Sequence, residues 1–211
     1  MTQLKIEFLD FWHAGTGIGK GALVDALVEK DSKGLPYLPG KTIKGILREA
    51  IRGAVEFKWI DEDSENQLFG TRSTAQTSKE TETNLSRHET KAGLIQISDA
   101  TIEPGVYEWF VANQDKIPHL FKNIYQTSIK HTEDTETNFG WGTAVDGSLR
   151  GLEVTVPMTL FAEIDVVDSK EQSRVIDAIN KSLSLVTAMG AGRSRGLGRV
   201  NVALLGEGER V

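Results

Sequence analysis

Four glycines and three arginines share the stretch 190–199, GAGRSRGLGR. Glycine lets successive backbone N–H groups approach a polyanion closely and form an anion nest. Arginine adds planar, bidentate phosphate contacts. A glycine C-cap followed by a tight turn would account for Gly190, but not for three arginines and three further glycines. A second cationic set stands near the start of the chain. Lys41, Lys44, Arg48 and Arg52 recur three or four residues apart, directly after Pro39-Gly40. On a helix they share one face. The free N–H groups and the dipole at the start of such a helix suit an anion. An ordinary solvated helix carries the same stripe, because long charged side chains usually face water. The chemistry that suits both stretches together is binding of a phosphate backbone.

Other chemistries find less support. Gly15, Gly17, Gly19 and Gly21 suggest a nucleotide loop, but a Walker loop needs Gly at 14 and Ser or Thr at 21, where Ala14 and Gly21 stand. No G-x-G-x-x-G spacing fits either, so ATP and NAD are rejected. The chain has no cysteine, which removes disulfides, thiol nucleophiles and cysteine zinc sites and fits a reducing cytoplasm. His88, His119 and His131 show no metal-ligand spacing with each other. Nothing marks a hydrolase triad.

The elements that must position the cationic stretches can be read from hydrophobic periodicity. Leu4, Ile6 and Phe8 alternate with Lys5 and Glu7, which predicts a half-buried first strand over 3–9. Ile43, Ile46, Leu47, Ala50, Ile51 and Ala54 form the apolar stripe of the first helix. Residues 71–92 are polar and aperiodic and read as a loop. Leu94, Ile95 and Ile97 predict a second strand, and residues 101–150 an aromatic-bearing β-hairpin arm. A strand over 152–167 carries Pro157 at a bulge or edge position. Ser169 and Gln172 suggest a capping box for a helix whose buried face, Val175, Ile179, Leu183 and Val186, runs to about Met189. A last strand covers 199–205.

Without the insertions this order is β-α-β-β-α-β, the ferredoxin-like, RRM-like α+β arrangement with two helices on one face of an antiparallel sheet. We expect one domain over 1–211, with its core at about 3–60, 93–100 and 152–205 and insertions at about 61–92 and 101–150. Its pseudo-symmetry can bring the first helix and the loop 190–199 to the same side of the sheet, as two halves of one groove.

The 211 residues carry 26% charged and 39% hydrophobic side chains, an ordinary globular balance, with 21 glycines and a formal charge of −6. That charge argues against nonspecific duplex binding but not against a local basic groove. The opening MTQLKIEFLD lacks the apolar region of a signal peptide, and no apolar run nears the ~20 residues that span a bilayer. We therefore expect a cytoplasmic protein with no membrane partner.

Taken in order, GLPYLPGKTIKGILRE, LFG, GLIQISDA, DGSLRGLEVTVPMTLFAEI and MGAGRSRGLGRVNV resemble the signature blocks of the RAMP superfamily. They are most similar to the repeated backbone subunit of type III CRISPR effector complexes. This resemblance implies that Gly40, Lys41, Thr42, Lys44 and Arg48, with Arg193, Ser194 and Arg195, hold guide RNA phosphates. Lys41 stands where close relatives often have Ser, which adds charge. The arm 101–150 resembles the thumb that interrupts the guide–target duplex. In it Phe139 and Trp141 would stack on bases or anchor the arm on a neighbouring subunit.

The resemblance also implies cleavage of the complementary target RNA by Asp25, in VDALVEKDSKGLPYLPG, with Mg²⁺ or another divalent cation. The chemistry would be attack of a ribose 2′-OH on its own phosphodiester, and Asp25 would hold the metal or orient the nucleophile. Asp31 is the nearby rival, though its Asp-Ser-Lys-Gly context reads as a turn. His13 lies where relatives often have a histidine near the RNA. The implied partners are guide and target RNA, copies of this chain or paralogous backbone subunits, and other CRISPR effector subunits. Two alternatives remain at this point. One is an architectural RNA-binding subunit without catalysis. The other is a guide-processing endoribonuclease that uses His13 as general acid or base.

Overall fold

A computed structural model describes residues 2–18, 25–71, 91–116, 122–127 and 150–206, with the backbone alone described at 114, 122–127 and 150. In chain order the elements are β1 (Thr2–Phe8), α1 (Gly40–Glu56), α2 (Ser64–Phe69), β2 (Ile95–Ile97), α3 (Pro104–Asn113), β3 (Lys122–Thr127), β4 (Arg150–Thr155), β5 (Thr159–Val166), α4 (Gln172–Ser182) and β6 (Val200–Leu205). Four strands form one sheet in the order β2-β5-β1-β6, every neighbouring pair antiparallel. With α1 after β1 and α4 after β5, this is the expected ferredoxin-like core.

Alternation fixes which face of the sheet is covered. Leu4 sits opposite Ala162 and Leu204, and Ile6 opposite Leu160 and Val202. These central residues pack under Ile43, Leu47, Ala50 and Ile51 of α1 and Val175, Ala178 and Ile179 of α4 in one cluster. Each large apolar side chain buried there contributes about 1.5–3 kcal/mol. Gln3, Lys5 and Glu7 take the opposite face, as period-two patterning requires.

Four expectations are corrected. The strand predicted over 152–167 is two strands, broken at Pro157. Residues up to Thr155 pair with β3 in a separate two-stranded ribbon, and only Thr159–Val166 joins the core sheet. Proline cannot donate to a ladder, so it marks the place where the chain changes sheets. The arm begins with a helix, Pro104–Asn113, rather than a hairpin. Its aromatic residues suggested strand, a preference that tertiary context overrides. The ribbon β3–β4 supplies the base of the expected hairpin; residues 128–149, with Phe139, Trp141 and His131, lie outside the described residues. So do the polar segment 72–90 with His88, and His119.

Finally, the capping box is not formed. α4 starts after Glu171 with no side-chain cap, and the Gln172 N–H donates to the Ser169 carbonyl at 3.4 Å. The helix ends at Ser182, followed by a 3₁₀ turn, Leu183–Leu185. The apolar period runs on because Leu183, Val186 and Met189 are buried outside the helix. No helix among the described residues is long and apolar enough to cross a membrane.

Candidate nucleic-acid interface

The glycine-rich loop turns on two left-handed residues. Gly192 (φ +75°) and Gly196 (φ +82°) flank the 3₁₀ turn Arg193–Arg195. Side chains are strained in that conformation, so glycine is required at both ends. Arg193, Ser194 and Arg195 are consequently lifted into solvent. The root of the loop is tied to the segment after β1: the Ala191 N–H donates to the His13 carbonyl and the Gly198 N–H to the Phe11 carbonyl, both at 2.8 Å. At Gly198 (φ +73°) a Cβ would lie 2.0 Å from the Met189 carbonyl oxygen.

The loop lies beside α1, as expected. Arg193 Nη1 is 3.5 Å from Glu49 Oε2, and a cavity of about 800 Å³ between them is lined by Ile46, Glu49, Gly53 and Phe57 and by the loop. Thr42, seven residues before Glu49, shares that side of the helix.

The cationic stripe faces elsewhere. Lys44 Nζ donates to the Ile95 carbonyl at 3.0 Å. Arg48 donates to Glu65 Oε1 at 2.7 Å and to the Gly70 carbonyl at 3.0 Å. Arg52 donates to both oxygens of Glu65, at 2.9 and 2.6 Å. Hydrogen bonds from Arg52 hold the Glu65 carboxyl down at about 2, against desolvation and with help from Arg48. These cations fasten α1 to β2 and α2. Lys41 is exposed and, like Arg195, enters no ion pair among the described residues.

The first N–H of α1 already has an internal acceptor. The buried Gly40 donates its N–H to Asp99 Oδ1 at 2.7 Å, and a Cβ on Gly40 would meet the Ile97 carbonyl at 2.3 Å. Packing a helix start under a strand demands an internal acceptor, and Asp99 provides it.

Asp25 belongs to an irregular hairpin clamped on β4. Thr16 N–H donates to the Leu27 carbonyl and Leu27 N–H to the Ile18 carbonyl, each at 3.0 Å. Asp25 exchanges two hydrogen bonds with Gly151: its N–H donates to the Gly151 carbonyl at 2.8 Å, and its Oδ2 accepts the Gly151 N–H at 2.9 Å. Asp25 is exposed, beside the Gln126↔Gly151 pair at the end of the β3–β4 ribbon farther from Thr155. Asp31, by contrast, is consumed by its turn. Its Oδ1 accepts the N–H groups of Lys33 and Leu35 at 2.8 Å, and its Oδ2 accepts the Tyr107 hydroxyl at 2.8 Å, which raises the Tyr107 pKa.

His13 is only 3% exposed, and its Nδ1 lies 2.7 Å from the Glu153 carbonyl oxygen, to which it donates. Buried Glu153 in turn accepts Lys30 Nζ at 2.6 Å and the Val28 N–H at 3.1 Å. Sequence reading missed Glu153, Lys30, Glu65 and Asp99. Each partner lies far along the chain or in another element, and a lone carboxylate or lysine carries no mark of burial.

Among the described residues, no three His, Asp or Glu side chains gather in a way that would enclose a metal ion. Mg²⁺ commonly uses one or two carboxylates and completes its shell with water and substrate phosphate oxygens. The exposed Asp25 carboxylate fits that demand.

Fold and site together define a ferredoxin-like palm with an arginine-bearing glycine loop after its second core helix. The model of the RAMP superfamily matches residues 5–201, and the chain belongs to that superfamily. No curated protein matches its sequence. Two solved chains share the fold at 12% identity. One is from the Type III-B Cmr-beta complex bound to cognate target RNA (TM-score 0.60, 96% of each chain covered). The other is from Type III-B Cmr-beta in the apo state (TM-score 0.61, 98% of this chain and 97% of that one).

Proposed function

We propose that this chain is a guide-RNA-binding backbone subunit of a type III CRISPR effector complex, and that it also cuts the complementary target RNA. The observation that carries the reading is the exposed turn Arg193-Ser194-Arg195, raised between two left-handed glycines beside α1. Arg193, Ser194 and Arg195 contact guide phosphates, with Lys41 and Thr42 on the adjoining helix. Lys44 and Arg48 are already engaged with internal acceptors, which ranks them behind Lys41 and the loop as phosphate ligands. Gly40 serves the close approach of α1 to β2. Membership of the RAMP superfamily, and the likeness to a chain of a complex bound to target RNA, support this reading. Partners on it are guide and target RNA, copies of this chain or its paralogues, and other effector subunits.

For cleavage, Asp25 would hold Mg²⁺ or another divalent cation, which supplies Lewis-acid stabilisation of charge developing on the phosphate. The chain's own part is to fix Asp25 on the Gly151 backbone and to hold the RNA so that a ribose 2′-OH lies in line with its phosphodiester. A guide-processing role for His13 is disfavoured, because a general acid or base must come within hydrogen-bond reach of the proton it moves, and this ring is buried.

The test is target RNA cleavage by the assembled complex containing wild-type chain or Asp25→Ala, with Mg²⁺ and with EDTA. Regularly spaced cuts that need both Asp25 and a divalent cation are expected. Cuts that persist in the Asp25→Ala complex show that Asp25 is not the catalyst. Unaltered RNA affinity after combined Arg193→Ala and Arg195→Ala substitution removes the binding assignment itself.

A further inference from the structure

Two loops that the proposed function uses separately, the glycine-rich RNA loop and the Asp25 loop, meet at one buried residue. The His13 carbonyl accepts the Ala191 N–H of the glycine-rich loop at 2.8 Å. The His13 ring, on the other side, donates from Nδ1 to the Glu153 carbonyl of β4 at 2.7 Å. From Glu153 the connections continue into the Asp25 loop. Its N–H donates to the Ala26 carbonyl at 3.0 Å, and its carboxylate accepts the Val28 N–H at 3.1 Å and Lys30 Nζ at 2.6 Å. Gly151, two residues back on the same strand, holds the Asp25 carboxylate at 2.9 Å.

Packing leaves this junction little slack. A Cβ on Gly190 would lie 2.6 Å from the His13 carbonyl oxygen, and one on Gly15 would lie 2.6 Å from His13 Nε2. Both glycines are thus the backbone's means of closing on His13 from either side. The buried, closely packed His13 thus offers a direct path from the glycine-rich loop to β4.

We propose that His13 couples the two loops, so that RNA seated on Arg193, Ser194 and Arg195 sets the position of Asp25. His13 is a positioning residue on this account and touches no RNA. The proposal rests on the RNA-binding reading above. It adds that the Asp25 loop senses whether the glycine-rich loop is occupied, which confines an ordered cleavage centre to the guide-loaded subunit.

Hydrogen exchange of the full chain, with and without a single-stranded RNA oligonucleotide, tests it without requiring catalysis. In the wild type, RNA is expected to slow exchange of the Asp25 and Val28 amides several-fold, although neither lies in the glycine-rich loop. His13→Ala should bind the same RNA with little change in affinity while losing this remote slowing. His13→Asn, whose side-chain N–H can replace the Nδ1 donor, should restore it. Bound RNA that leaves Asp25 and Val28 exchange unchanged in the wild type overturns the coupling even if the alanine variant cannot be folded. Retained slowing in a folded His13→Ala also overturns it. Failure of the wild type to bind RNA instead defeats the underlying function, and is seen separately in the binding titration.

Discussion

Asp99 accepts the Gly40 N–H at 2.7 Å and so satisfies the first donor of α1 from within the fold. A helix terminus that looks like a phosphate site in sequence is therefore occupied by the protein's own carboxylate. The cationic surface available to RNA shifts toward Lys41 and the glycine-rich loop.

Replacing Asp99 by Ala should lower stability by about 1 kcal/mol, the usual effect of losing a helix-start acceptor, and Asn should lower it less. Urea unfolding midpoints report this. RNA affinity should change little. A large gain in affinity with Asp99→Ala would mean that phosphate does use the helix terminus.

Arg195 and Arg48 should separate in a salt titration. Arg195→Ala is expected to weaken RNA binding and reduce the slope of log K against log salt by about 0.7, the loss of one single-strand phosphate contact. Arg48→Ala should leave the slope close to wild type and instead destabilise the fold by roughly 1–3 kcal/mol, because Glu65 and the Gly70 carbonyl lose a partly buried partner. The reverse pattern would assign the phosphate contact to α1.

Glu65 predicts a defined pH dependence. Its carboxyl is held at about 2, below its ordinary 4.5, first by the Arg52 hydrogen bonds. A carboxylate lowered by folding stabilises the folded state above its unfolded value. That contribution should be lost as pH falls from about 4.5 to about 2. With Arg52 40% exposed, solvent screening reduces it to on the order of 2 kcal/mol. Unfolding of Glu65→Gln across that range should show a smaller acid loss than wild type.

The Lys30–Glu153 pair should be strongly coupled. Removing Glu153 alone strands Lys30 and the Val28 N–H, and should cost roughly 3 kcal/mol, the low end for a buried pair because Lys30 is 27% exposed. Lys30→Met in the Glu153→Ala background should then add less than it does in wild type. A double-mutant cycle by urea unfolding measures the difference, expected at about 0.5–3 kcal/mol.

Local spacing alone determined the core. The alternation of Leu4, Ile6 and Phe8 and the stripe from Ile43 to Ala54 can be satisfied only by a strand and a helix that share one buried layer. Gly192 and Gly196 were legible as places where backbone could approach an anion, but only the structure showed that their left-handed φ raises Arg193–Arg195 as a turn. Tertiary structure decided the fate of each charge. Lys44, Arg48 and Arg52 look alike along one helix face, yet the fold brings an acceptor from β2 or α2 against each. Arg195 meets none among the described residues. His13 and Asp25 are both single polar residues in glycine-rich surroundings, but one closes over by packing and the other stays in solvent. Burial and pairing depend on what the remote chain delivers to a point in space, and no periodicity within one segment encodes that.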